Sequence, residues 1–69
     1  MAQAPTFQGM ALEVNWGTYN VYATPDGMVG VVVNRDTGKQ VKRFKGESAW
    51  ADADRYATDL HWTHDIGNR

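Results

Sequence analysis

The chain contains no cysteine, which removes both disulfide staples and thiolate metal sites. In a protein of 69 residues that loss matters, because so short a chain buries a smaller fraction of its surface than a large one and its core is marginal. It has to pack efficiently or borrow a partner. Lysine and arginine are missing from residues 1–34, and no apolar run approaches the length of a membrane span. The start, Met1-Ala2-Gln3-Ala4-Pro5-Thr6-Phe7-Gln8, lacks the basic end and continuous apolar stretch of a signal peptide. Together these features lead us to expect a soluble, cytoplasmic protein. A net charge of −1 and a pI near 6.0 argue against a general nucleic-acid binder, whose domain is normally basic.

The charge that is present is segregated. Arg35, Lys39, Lys42, Arg43 and Lys45 crowd into residues 35–45 beside the single acid Asp36, whereas Glu47, Asp52, Asp54, Asp59 and Asp65 follow from residue 46 onward with Arg55 and Arg69. A basic arm is therefore succeeded by an acidic segment.

Hydrophobic periodicity places the elements. Residues 1–9, with Pro5 and Gly9 and no pattern, read as a loose arm anchored by Phe7, and residues 10–69 as a single α+β domain. Met10, Leu12, Val14 and Trp16 alternate with Ala11, Glu13 and Asn15, the signature of a half-buried strand. Beyond Gly17 the apolar parity shifts to Tyr19, Val21 and Ala23, so Gly17 marks either a bulge in one bent strand or a tight turn between two. Thr24-Pro25-Asp26-Gly27 is a turn, as is Asn34-Arg35-Asp36-Thr37-Gly38, in which Asp36 is placed to bond the backbone locally. Between them Val29, Val31 and Val33 share one face, while Met28, Gly30, Val32 and Asn34 share the other. A strand apolar on both faces belongs in the middle of a sheet. Residues 40–45 form a basic strand suited to an edge, with Val41 and Phe44 of opposite parity unless a bulge intervenes.

Ser48 reads as an N-cap for a helix from Ala49 to about Leu60. Ala49, Trp50, Ala53, Tyr56, Ala57 and Leu60 fall in one arc, and Asp52, Asp54, Arg55, Thr58 and Asp59 occupy the remainder. Continuing the helix would leave Trp62 on the polar side, so fraying or a turn near His61 is expected to let Trp62 or Ile66 fold back onto the body. The expected fold is α+β, a three- to four-stranded antiparallel sheet packed against one C-terminal helix in β-β-β-α order.

The run Val21 to Leu60, with its Pro-Asp-Gly hairpin, its Arg-Asp-Thr-Gly-Lys turn, its basic third strand and its alanine-rich helix, resembles the arm-type N-terminal DNA-binding domains of phage-like tyrosine recombinases. The resemblance implies a three-stranded sheet inserted in a DNA groove, with Arg35, Lys39, Lys42, Arg43 and Lys45 on the nucleic acid. A structural explanation stands beside it: an edge strand carries Lys and Arg to stay soluble and unpaired.

Other constellations are weaker. His61-x-x-His64-Asp65 has zinc-like spacing but no fourth ligand, and fits a surface or C-capping role. No nucleophile elbow or phosphate loop is present, so we expect neither an enzyme nor a cofactor, metal or small-molecule site. The apolar excess on the sheet is more informative. One helix covers one face, so the second face needs the N-terminal arm with Phe7, the tail with Trp62 and Ile66, or another chain. The leading expectation is a small non-enzymatic binding protein that docks on a protein partner or self-associates as a homodimer, through Tyr19, Val29, Val31 and Val33 on the sheet or Asp52 and Asp59 on the helix. In its shortness and acidic helix the chain also resembles accessory and inhibitor proteins encoded by phages. DNA binding by the basic strand is the alternative.

Overall fold

The structure, a computed structural model, describes residues 6–66. Five antiparallel strands succeed one another as a meander: β1 (Thr6–Phe7), β2 (Met10–Trp16), β3 (Tyr19–Ala23), β4 (Val29–Asn34) and β5 (Lys39–Lys45), side by side in that order. The helix α1 (Ala49–Leu60) follows and runs into a π-helical turn, His61–Ile66. The fold is α+β, a curled sheet with one C-terminal helix.

Five strands replace the expected three or four, because part of the expected arm is a strand: Thr6 pairs with Ala11 and Phe7 with Met10. Residues 1–5 of that arm, and the tail beyond Ile66, lie outside the described residues. Gly17 is a turn and not a bulge, since Trp16 pairs with Tyr19 across Gly17 and Thr18, with Gly17 at φ +61°. The strand that is apolar on both faces, β4, is interior, flanked by β3 and β5.

The sheet's two faces are built by an irregularity in β2. Leu12 pairs with Tyr22, yet Val14 pairs with Val21, so two steps along β2 match one along β3. Glu13 is the extra residue of a β-bulge. Because neighbouring residues of β3 point to opposite faces, the bulge sends Met10 and Leu12 to one face and Val14 and Trp16 to the other. Met10 and Leu12 join Phe7 over Tyr22, Val29, Val31 and Val33 on the face away from the helix. Val14 and Trp16 join Tyr19, Val21, Val32, Phe44 and the helix residues Ala53, Tyr56, Ala57 and Leu60. The bent first hairpin thus caps the second face, and the side chain of Arg43 on β5 donates to Gln8 Oε1 in the turn between β1 and β2.

The energetic reason is plain. Fully burying a valine contributes about 1.5–3 kcal/mol, against about 5–15 kcal/mol for the net stability of a whole domain. Leaving Val31 and Val33 bare would forfeit a large part of that margin; instead they are 0% and 3% exposed. A second bulge lies in β5, where Val32 pairs with Lys42 but Val33 with Gln40. It leaves Val41 unpaired and 39% exposed, and allows Phe44 alone in β5 to turn in, edge-on to Tyr56 with ring centroids 5.7 Å apart.

Helix α1 lies on the other face through Ala49, Ala53 and Ala57, all fully buried. Ser48 does not cap it as expected; no side-chain cap hydrogen bond forms, and the Ser48 hydroxyl bonds Asp52 Oδ2 at 3.1 Å. Nor does Trp62 fold back: the backbone continues helically and leaves it 56% exposed. Among the described residues no helix is long and apolar enough to cross a membrane.

Helix and sheet approach each other closely at Gly30. A Cβ there would stand 2.7 Å from the Ala49 carbonyl oxygen and 2.9 Å from Ala53 Cβ. Backbone is the obstacle, so the helix would have to shift. Gly30→Ala is expected to destabilise the fold by about 1–3 kcal/mol, measured by urea denaturation; an unchanged midpoint would contradict this packing.

Candidate functional site

Three surfaces bear side chains that sequence reasoning singled out. The first is the basic strand. β5 is an edge of the sheet, and Lys39, Gln40, Val41, Lys42, Arg43 and Lys45 are all exposed. Register divides them: Lys39 and Lys42 pair with Asn34 and Val32 and share the helix face, while Arg43 and Lys45 pair with Val31 and Val29 and share the opposite face. The bases therefore flank the strand from both sides. Arg35 stands apart in the β4–β5 turn, which Asn34 and not Asp36 organises: its Oδ1 accepts from the backbone N–H of Asp36 at 2.9 Å and of Thr37 at 3.3 Å.

The second is the apolar sheet face. Val31 and Val33 are spent inside the chain's own core, and Val29 and Tyr19 are half-buried, Val29 beneath the curled hairpin and Tyr19 against the helix side. Val31 and Val33 are thus inaccessible to a partner in this fold. On the helix, Asp52 and Asp59 remain exposed, whereas Asp54 accepts a hydrogen bond from Trp16 Nε1 at 2.7 Å.

The third surface was not visible as a unit. An open polar cleft of ≈ 550 Å³ is lined by Asn15, Gly17, Thr18, Arg35, Asp36, His61 and Asp65. Asp65 Oδ2 accepts from the Thr18 backbone N–H at 2.8 Å, and Oδ1 from the Thr18 hydroxyl at 2.9 Å. His61 Nδ1 lies 3.1 Å from the same Oδ2. A carboxylate has only acceptors, so Nδ1 carries the proton. These donors, the Thr18 amide foremost and then His61, hold the Asp65 carboxyl at about 2, well below its ordinary 3.8. Thr18 and Asp65 are 47 residues apart, which is why spacing did not reveal them.

The arrangement works as a latch. It ties the π-helical turn to the tip of the β2–β3 hairpin, and the Trp16 ring adds a tilted contact with His61 at 5.9 Å. The Thr18 hydroxyl donates to the carboxylate and not to the imidazole. Of the zinc-like set, His61 and Asp65 come together while His64 is exposed. Among the described residues no group of three or more His, Cys, Asp or Glu side chains is placed to hold a metal ion. Gly17 is required twice over: its φ is +61°, and a Cβ would stand 2.2 Å from Asp65 Oδ2.

The carboxyl of Asp65 titrates lower in the fold than its ordinary 3.8, so its contribution is present above pH 3.8 and disappears as pH falls toward about 2. Asp65→Asn is expected to flatten the acid limb of the stability curve across that window and to speed amide exchange at Thr18 and in residues 61–66. Acid titration followed by circular dichroism, with exchange by NMR, checks both; an unaltered acid limb and unaltered exchange would show that no latch exists.

No protein-family model matches the chain, and neither a curated protein nor a solved structure is detectably similar to it.

Proposed function

We propose that the chain is a small binding protein that docks on a protein partner through β5 and the turn that precedes it. One observation carries the reading: the strongest local concentration of one charge, Arg35 to Lys45, is displayed along an exposed sheet edge while the apolar second face is enclosed. Docking surfaces of this kind gain on-rate and selectivity from complementary charge. An accessory or inhibitory role, as small phage proteins play, is the natural consequence of docking.

Self-association is the weaker form of the reading. Two copies meeting at β5 would set Lys39, Lys42, Arg43 and Lys45 against their own kind, and like charges across a strand pair repel. Two copies meeting through Val31 and Val33 would first have to lift off the bent hairpin. DNA binding has the five basic side chains in its favour. Groove insertion, however, uses a sheet face, and here the face away from the helix lies under Phe7, Met10 and Leu12.

The test replaces one base on each side of the strand, Lys42→Glu with Lys45→Glu; neither side chain has a hydrogen-bond partner among the described residues. Affinity capture from the native cell extract, run with and without nuclease, is expected to retain a protein with the parent chain under both conditions and to lose it with the variant. Capture that disappears with nuclease, alongside a salt-dependent shift of duplex DNA, would replace this reading with the nucleic-acid one.

A further inference from the structure

Resting on that docking reading, we propose that β5 takes up an extended acidic segment of its partner as a sixth strand, joined by backbone hydrogen bonds as well as charge. Three features of the strand lead there. It is seven residues long, and among the described residues only β4 pairs with it, so its outer row of N–H and C=O groups has no strand partner. Main-chain groups of this kind are a template for an added strand.

The side chains then select what is added. A strand laid along the edge presents its side chains alternately above and below the sheet, and β5 answers on both levels, with Lys39 and Lys42 on the helix side and Lys45 on the other, beside Arg43, which also donates to Gln8 Oε1. An extended peptide bearing carboxylates meets these bases on either side. A duplex would meet one side at a time, and on the helix side would bring its phosphates toward the acidic helix, where Asp52 and Asp59 are exposed. The same lysines repel a second copy of β5, so the charge that discourages self-pairing favours an acidic strand. Val41, left unpaired by the bulge and exposed, supplies an apolar contact at the middle of the row.

The probe is a capped synthetic peptide of about eight residues, a usual strand length, repeating Glu-Glu-Val-Val so that carboxylates fall on both faces of the added strand. Its control replaces every valine by proline, which keeps each carboxylate and removes half the backbone donors. Titration of the labelled protein by NMR is expected to give saturable binding of the first peptide, with amide exchange in β5 slowed about tenfold or more. The proline peptide is expected to bind at least about tenfold more weakly, and the Lys42→Glu, Lys45→Glu variant to lose the first peptide. No saturation at about 1 mM, or equal affinity for the two peptides, overturns the inference, as does a duplex oligonucleotide that saturates β5 where the acidic peptide does not. Equal affinity together with a partner lost in the charge variant would overturn strand addition alone and leave side-chain docking standing.

Discussion

The structure depends on covering one strand twice. β4 carries Val29, Val31 and Val33 on one face and Val32 on the other, and a single amphipathic helix serves one side. In a chain of 69 residues there is no second helix among the described residues to spare and no disulfide to offset a bare face. The solution is one extra residue. Glu13 bulges out of β2, and the strand that would have lined one face lines both, Met10 and Leu12 above, Val14 and Trp16 below.

Much of the remaining architecture follows from that bend. Because β2 curls over β4, its opposite end carries the β2–β3 turn toward the end of α1, where Asp65 and His61 engage Thr18, while Trp16 reaches Asp54 at mid-helix. The helix is therefore held by small-residue packing on its buried side, by the Trp16–Asp54 bond at its middle and by the latch in the turn that follows it. Its alanine stripe is close enough to need Gly30 beneath it. What remains for a partner is what the bend does not reach, the edge strand β5, where a second bulge and alternating bases replace apolar cover.

Much of this was legible in the residues. The strands from Met10, Tyr19 and Val29 and the helix from Ala49 declare themselves by period, and the turns by Pro25, Gly27 and Gly38, because local chemistry decides them. Thr6–Phe7 was not legible, since two residues have no period. The bulge at Glu13 was hidden for a subtler reason: Met10, Leu12, Val14 and Trp16 alternate without a break, and a residue added at Glu13 leaves that alternation intact. One signal was available. Tyr22 needs an apolar neighbour on its own face, and the odd positions of β2 offer Ala11, Glu13 and Asn15, so a regular strand would have set polar groups beside it. The latch was out of reach because it joins residues from opposite ends of the chain, and the failure of Ser48 to cap reflects a side chain turned to Asp52. Placement of the basic side chains on two faces likewise needed the register around Val41.

The most direct test of the account is a set of methyl distances in the protein alone. Nuclear Overhauser contacts should join Leu12 methyls to the Tyr22 ring and Val31, and Val14 methyls to Val21 and the helix alanines, in a species that sediments as a monomer. If Leu12 and Val14 instead report to the same face, β2 runs without its bulge. The second face of β4 is then open to a partner, and recognition no longer falls to the β5 edge.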